Sequence, residues 1–219
     1  MGYTKSLTKS MANIGNVIYG ALKNERILEL VEPFGYDETR IRTEGLELYN
    51  KTQAEILDFQ IEYGEQFSAR DKMYALWKEN SETYMQILKL TRVGLKNKPG
   101  ALHSMRAKGA RKRSITGFID DARILYSNLM SQPDYMSIMN GFGITGTLLN
   151  KANEQIKTLE NAHIKYLKEK GEAQSQTIKR NEAYDELYAW YSDFRTIVRI
   201  ALRGSEQMLE GLGIVVKRR

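Results

Sequence analysis

The chain carries an internal repeat at a spacing of 107 residues. When residues 59–112 are aligned with 166–219, 11 of 54 positions are identical without a gap, whereas about 3 would be expected from average composition. Two helical segments could share a composition by chance, but chance would not keep glycines and helix ends in phase. We therefore predict two tandem copies of one unit, copy 1 at residues 1–110 and copy 2 at 111–219.

The identical pairs are spread along the whole aligned stretch. They include Glu62/Glu169, Gly64/Gly171, Tyr84/Tyr191, Arg92/Arg199 and Leu95/Leu202. Because these pairs fall at expected helix ends as well as on expected apolar faces, both copies should have the same order of helices.

Composition and periodicity predict an all-α fold. The chain has only 3 prolines and is rich in residues that favour helix, and its apolar residues recur every three or four positions. A first amphipathic helix is expected at about 6–23 in copy 1, and in copy 2 it begins after the N-cap residue Ser114. A short helix follows in each copy, at 25–32 and at 133–140.

Two long helices and a short closing helix complete each predicted copy. Gly64 and Gly171 stand where the third helix should end, because glycine tolerates the left-handed conformation that follows a helix. The fourth helix returns antiparallel and stops near Asn97 or Gly204. Pro99 and Ser205 then open the fifth helix.

The long helices predict the architecture. An isolated pair leaves part of its apolar stripe exposed, and two related copies can cover each other about a pseudo-twofold axis. We expect long antiparallel hairpins packed as a pseudo-twofold four-helix bundle with short flanking helices. The alternative is two separate bundles joined by the basic linker at 106–113.

The C-terminal sequence LYAWYSDFRTIVRIALRGSEQMLEGLGI (187–214) resembles a loose group of uncharacterised bacterial helical proteins. Their chains close with an aromatic-Asp-Phe-Arg stretch, an Ile-Ala-Leu run and a Leu-Leu-Glu-x-Leu-Gly-Ile-like end. The segment ARILYSNL (122–129) resembles the opening of their second half. The resemblance implies a helical fold with duplicated halves, and it carries no activity and no functional residue.

Catalytic signatures are missing from the sequence. It has no glycine-rich phosphate loop, no nucleophile elbow and no HExxH motif. The absence of cysteine excludes disulfides, thiol catalysis and thiolate metal sites.

No window approaches the roughly 18 consecutive apolar residues of a membrane span, and the N-terminus lacks an apolar signal core. We expect a cytoplasmic protein that is not an enzyme and binds no cofactor.

One spacing resembles a metal-binding motif. Glu160 and His163 lie three residues apart, as in the Glu-x-x-His motifs of bundled di-iron proteins. Those proteins need the motif twice and two further glutamates, whereas this chain has two histidines in all. Ile56 occupies the position of copy 1 that aligns with His163, so a core histidine is favoured over a metal ligand.

The basic residues are concentrated in two short segments. Five cations form a run without acids, Arg106, Lys108, Arg111, Lys112 and Arg113, and the chain ends with Lys217, Arg218 and Arg219. The other 25 basic residues nearly balance 27 acidic ones. The two segments could simply keep a linker and a terminus solvated, or could bind nucleic acid, anionic lipid or an acidic partner without reading sequence.

An aromatic-rich stretch precedes the C-terminus, comprising Tyr184, Tyr188, Trp190, Tyr191 and Phe194. At helical spacing such residues are more typical of a core or a protein interface than of a base-stacking platform. We therefore predict a non-enzymatic structural or assembly scaffold that associates with itself or with another protein. The alternative is sequence-independent nucleic-acid binding through the basic linker and C-terminal tail.

Overall fold

The computed structural model describes residues 2–215, with side chains from residue 6 onward. Across these residues the chain forms helices and turns and contains no β-strand, which confirms the all-α prediction. No helix within them is long and apolar enough to cross a membrane.

The first half of the chain is dominated by one long helix. Its elements are α1 (Gly2–Leu22), α2 (Glu25–Val31), a 3-10 turn (Glu32–Phe34), α3 (Glu38–Arg40), a π-helical turn (Ile41–Leu46), α4 (Glu47–Gly94) and α5 (Pro99–Ser104). The backbone stays helical from α3 through the π turn into α4, which alone has 48 residues.

The second half repeats this order. Its helices are α6 (Ile115–Ser131), α7 (Pro133–Asn140), α8 (Gly146–Ala201) and α9 (Glu206–Gly211). The ends of α4 and α8, and both ends of α5 and α9, differ by 107 positions. These equal spacings accord with the duplication, which remains a prediction from the sequence.

Three helix starts predicted from the sequence are confirmed. The Ser114 hydroxyl accepts a hydrogen bond from the Gly117 amide at 3.1 Å and caps α6. Pro133 and Pro99 are the first residues of α7 and α5. A turn with a left-handed glycine follows the short helix of each half, at Gly35 with φ 81° and at Gly143 with φ 77°, a conformation that side chains disfavour.

The predicted helix ends at Gly64 and Gly171 are wrong. Both glycines lie inside continuous helices, α4 and α8, and neither has the positive φ of a helix-terminating glycine. Helix-favouring residues follow each glycine, so the loss of about 1 kcal/mol relative to alanine does not break the helix. The two predicted hairpins are therefore not formed, and their four long segments are two helices.

The chain divides into two compact units whose boundaries differ from those of the predicted copies. Unit 1 comprises Met1–Ile61 and Ala173–Arg219, and Unit 2 comprises Glu62–Glu172. The predicted boundary at 110/111 falls inside Unit 2. Because α4 and α8 do not turn back at their glycines, each unit contains one segment of each long helix.

Unit 1 packs α1 and α2 against its segments of α4 and α8. Ile14, Ile18 and Phe194 are fully buried in its core. The Thr52 hydroxyl, also buried, donates to the Ala183 carbonyl at 3.0 Å and links the two long-helix segments. The same hydroxyl also lies 2.8 Å from the Leu48 carbonyl of its own helix, so this buried polar group is satisfied.

Unit 2 packs α6 and α7 against its own segments of the long helices. Tyr84, Phe118 and Tyr126 form an aromatic cluster, with ring centroids 5.4 Å apart for the first pair and 6.4 Å for the two tyrosines. Leu125 and Leu129 are fully buried beside it. Burial raises the pKa of the Tyr126 hydroxyl well above its ordinary value.

A close contact in Unit 1 fixes the π turn. The Trp190 ring of α8 lies so near Gly45 that an added Cβ would be 2.2 Å from its Cη2 atom. The indole Nε1 donates to Glu44 Oε2 at 3.0 Å, so the ring is held from a second direction. Glycine is required at this position by the approach of the indole.

We predict opposite effects of alanine at two helical glycines. Gly45→Ala forces the indole away and should lower the free energy of unfolding by about 1–3 kcal/mol. Gly64→Ala should raise it by about 0.5–1 kcal/mol, because a Cβ there meets nothing within 4 Å. Urea unfolding followed by circular dichroism measures both. A destabilised Gly64→Ala variant would contradict the continuous α4 helix.

Candidate functional site

The basic linker is folded against Unit 2 rather than extended into solvent. The Arg111 guanidinium donates to the Tyr84 hydroxyl at 2.8 Å, to the Arg106 carbonyl at 2.6 Å and to the Lys108 carbonyl at 2.7 Å. It therefore cross-links the linker to α4 and to the linker's own backbone. Arg111 has a structural role that the sequence did not indicate.

The linker 106–113 contains no acidic residue, but acidic side chains of α6 lie close to it. The Asp121 carboxylate of α6, 4% exposed as a residue, lies 3.3 Å from Arg106 Nη1 and 3.9 Å from Arg111 Nη1. Lys112 Nζ lies 3.9 Å from Asp120 Oδ2. Since α6 brings these acids to the run, part of its charge is neutralised.

The remaining predicted anion-binding cations differ in position. Lys108 and Arg113 are exposed, and their side chains make no ion pair within residues 6–215. Lys217, Arg218 and Arg219 lie outside the described residues. Lys108 and Arg113 are thus exposed linker cations without a described ion pair, whereas Arg106 and Lys112 are exposed but paired with Asp121 and Asp120.

Arg111→Gln should destabilise the protein, whereas Arg113→Gln should not. The first change removes donors to a buried tyrosine and several carbonyls, which we expect to cost about 2 kcal/mol of unfolding free energy. The second changes an exposed cation and should stay within about 0.5 kcal/mol of wild type. Equal stability of the two variants in urea unfolding would contradict the cross-linking role.

The aromatic candidates lie mostly inside Unit 1. Phe194 and Tyr191 are buried, and Tyr184 and Trp190 are half-buried. Tyr184 shares a 2.7 Å hydrogen bond with the Ser10 hydroxyl of α1. Tyr188 is the exposed member of the set. Four of the five therefore serve the packing of Unit 1, because a face made of them is already covered by the same unit.

Glu160 and His163 bind neighbouring side chains on different elements. Glu160 forms a two-pronged ion pair with Arg123 of α6, including an Nη1–Oε1 contact of 2.9 Å. His163 Nδ1 lies 3.3 Å from the sulfur of Met73 on α4. Neither belongs to a group of three metal-ligating side chains among the described residues. Their geometry fits a salt bridge and a partly buried histidine.

The structure brings together three glutamates that sequence reasoning did not single out. Carboxylate oxygens of Glu62, Glu65 and Glu169 lie within 4.8 Å of one another in Unit 2. Glu169 is buried and lies 4.0 Å from Lys165 Nζ, while Glu62 Oε2 is buried without a hydrogen-bond partner. The repeat alignment pairs Glu62 with Glu169, and this identity is the sequence signal from which two members of the cluster could have been found.

Glu62→Gln should stabilise the protein. The change removes one of three crowded negative charges and supplies amide donors to the neighbouring carboxylates, so we expect a gain of about 1 kcal/mol in unfolding free energy. Glu172→Gln is the matched control, since it loses an exposed ion pair of 3.1 Å with Lys168 and should cost less than about 0.5 kcal/mol. A less stable Glu62→Gln variant in urea unfolding would show that the charge is compensated.

An exposed aromatic face lies on α4 in Unit 2. Tyr63, Phe67 and Tyr74 recur at helical spacing, and the rings of Tyr63 and Phe67 are 5.7 Å apart. Phe67 is 44% and Tyr74 51% exposed. The Arg70 guanidinium lies 4.8 Å from the centre of the Phe67 ring. We call these three residues the α4 aromatic face.

The α8 segment of Unit 2 also exposes apolar side chains. Ile164 and Leu167 are each more than half exposed. Scattered apolar residues are normal on a surface, but several aromatic and aliphatic side chains on two neighbouring segments form a feature typical of interaction sites.

Comparisons with known proteins give no relative. No protein-family model, no curated protein sequence and no solved structure matches this chain. The resemblance to duplicated helical proteins therefore remains a prediction.

Proposed function

We propose that the protein is a non-enzymatic assembly scaffold that self-associates through the α4 aromatic face. The exposure of Phe67 and Tyr74 on a long helix carries this proposal. Aromatic residues are enriched in the buried cores of protein interfaces, and two helices can pack such side chains into each other's grooves.

A second copy of the chain is the partner that this face suits best. In a twofold dimer the same patch lies on both sides of the interface, so one aromatic face can cover another. Arg70 adds a planar cation beside Phe67, and stacked arginine and aromatic rings recur at such contacts. The aromatic-rich stretch near the C-terminus, which the sequence suggested as an interface, is by contrast used mainly in the packing of Unit 1.

Other chemistry-bearing side chains support a structural role. Glu160 is held by Arg123, His163 contacts Met73, and Arg111 is bound by backbone carbonyls. These groups are used in internal contacts of Unit 2. The function we propose therefore rests on surface recognition.

Light scattering behind size exclusion tests the proposal. We expect wild type to elute as a multiple of 25.2 kDa, and the double variant Phe67→Ser/Tyr74→Ser to shift to the monomer with unchanged helical content. Phe34→Ser, which alters a comparably exposed phenylalanine in Unit 1, should retain the wild-type mass. A monomeric wild type at micromolar concentration would overturn self-association.

The exposed side chains of Lys108 and Arg113 favour a second candidate, sequence-independent nucleic-acid binding. It predicts that the same chromatography shows absorbance at 260 nm in excess of protein at low salt, which disappears at high salt. Replacing Lys108, Arg113 and the three C-terminal cations with glutamine should abolish that excess. An absorbance ratio of pure protein at every salt concentration would exclude this candidate.

A further inference from the structure

Unit 1 contains a polar pocket where the first half of α1, the last part of α8 and the chain after α9 meet. Its volume is about 330 Å³, at the lower end of the range of small-molecule sites. The side chains that line it at helical spacing are Ser6, Lys9 and Asn13 of α1 and Tyr188, Tyr191 and Arg195 of α8. No Asp or Glu is among its described lining residues, so the charge of the pocket favours an anion.

Two cations of this pocket have no partner among the side chains that the structure describes. Lys9 is exposed and Arg195 is half-buried, and neither forms an ion pair or a hydrogen bond within residues 6–215. Burial raises the pKa of the Tyr191 hydroxyl and the charge of Arg195 opposes that shift, so the guanidinium and the hydroxyl lie close together. Ser6 and Asn13 add neutral hydrogen-bond donors.

Unit 2 contains a counterpart of this pocket. Gly213 and Arg106, which are 107 positions apart, both have a positive φ, 73° and 50°, and the amide of each donates to the carbonyl three residues earlier. The buried side chains of α1 and α6 match at a spacing of 108, Met11 with Ile119, Ile14 with Ala122 and Ile18 with Tyr126. The lining residues of the two units can therefore be compared one by one.

In Unit 2 the counterpart is filled by a cation of the chain itself. The Arg111 guanidinium donates to the Tyr84 hydroxyl, and Tyr84 corresponds to Tyr191. Asp121, whose carboxylate lies 3.9 Å from Arg111 Nη1, corresponds to Asn13. Unit 2 thus pairs an internal guanidinium with an internal carboxylate at this place.

Unit 1 has the opposite charge at the matching positions. Its counterpart of Asp121 is the neutral Asn13, and Arg195 occurs where Unit 2 has the buried Leu88. The residue that aligns with Arg111 is Arg218, which lies outside the described residues. A site that receives a guanidinium in Unit 2 is therefore, in Unit 1, a cationic pocket with no acid among its described lining residues, and such a pocket is complementary to an anion.

We propose that the Unit 1 pocket binds the phosphate group of a small phosphomonoester. The phosphate oxygens accept hydrogen bonds from Arg195 and Lys9, whose two charges balance the nearly two negative charges of a phosphomonoester at pH 7. The planar guanidinium suits two oxygens of one phosphate, and the lysine adds a point charge. The Tyr188 ring, which is 48% exposed and lines the pocket, contacts the organic part of the ligand.

The inference is independent of self-association. The pocket belongs to Unit 1, and the α4 aromatic face belongs to Unit 2. The Phe67→Ser/Tyr74→Ser variant should therefore bind the phosphomonoester as wild type does.

Isothermal titration of the full-length protein with ribose 5-phosphate at low ionic strength tests the proposal. We expect one site per chain and competition by inorganic phosphate. Ribose, which lacks the charge, should bind at least about tenfold more weakly. Equal affinity for ribose and its phosphate would overturn the role of the cations, and binding of inorganic phosphate without binding of the ester would overturn the ligand class.

A pair of arginine variants separates the pocket from the overall charge of the protein. Arg195→Gln should weaken binding of ribose 5-phosphate about tenfold or more. Arg199→Gln is the matched control, because Arg199 is an exposed residue of the same helix that does not line the pocket, and it should bind within about twofold of wild type. An equal loss in both variants would overturn the proposal.

Asn13→Asp keeps the test decisive if the Arg195→Gln variant unfolds. Asn13 is exposed, and the change keeps the size of the side chain while it supplies the acid that Unit 2 has at this position. The new carboxylate should pair with the cations and weaken binding about tenfold or more. Asn50→Asp, at an exposed position of α4 in Unit 1, is its control and should bind normally. Unchanged binding in a folded Asn13→Asp variant would contradict the assigned site.

An Arg218→Gln variant tests whether the chain fills this pocket itself. We expect it to retain the binding of ribose 5-phosphate to within about tenfold, since the site consists of Arg195 and Lys9. A wild type that does not bind, together with binding gained in Arg218→Gln, would show an internal arginine in the pocket, as in Unit 2, and would overturn the proposal.

Discussion

The continuity of α4 and α8 through Gly64 and Gly171 determines how the rest of the chain packs. A helix ends when its last carbonyls find other partners, and a glycine permits that change without requiring it. Here the flanking residues favour helix, so the backbone hydrogen bonds continue. The short helices α1, α2 and α9 then pack on the Unit 1 segments of the long helices, α5, α6 and α7 pack on the Unit 2 segments, and two cores result.

The same constraint explains where exposed apolar residues occur. Phe67 and Leu167 of the two long-helix segments are exposed and are not among the core residues of Unit 2. A pair of helices cannot bury every apolar side chain on its own. The α4 aromatic face is therefore a consequence of the architecture as well as a basis for association.

Sequence reasoning predicted helix starts with a clear cap residue, failed at Gly64 and Gly171, where glycine permits a helix end without requiring one, and failed again where the cause is spatial. Caps at Ser114, Pro133 and Pro99 depend on a few adjacent residues, and they were predicted correctly. The pairing of Asp121 with Arg106 and Arg111 depends on how the linker folds back on α6, which charge counting along the chain cannot reveal. The contact of the Arg180 guanidinium with the Phe59 ring joins residues 121 positions apart, so only the packed structure shows that this cation is buried.

The division of the chain into units also bears on the order of folding. Unit 2 is one uninterrupted segment, Glu62–Glu172, whereas Unit 1 joins the two ends of the chain. During synthesis the apolar faces of α1 and α2 must therefore wait for the last part of α8, more than 100 residues later. Contacts of such long sequence separation form slowly and leave apolar surface open to chaperones and aggregation. The N-terminal helices are thus the part of this protein that is most dependent on being synthesised to the end.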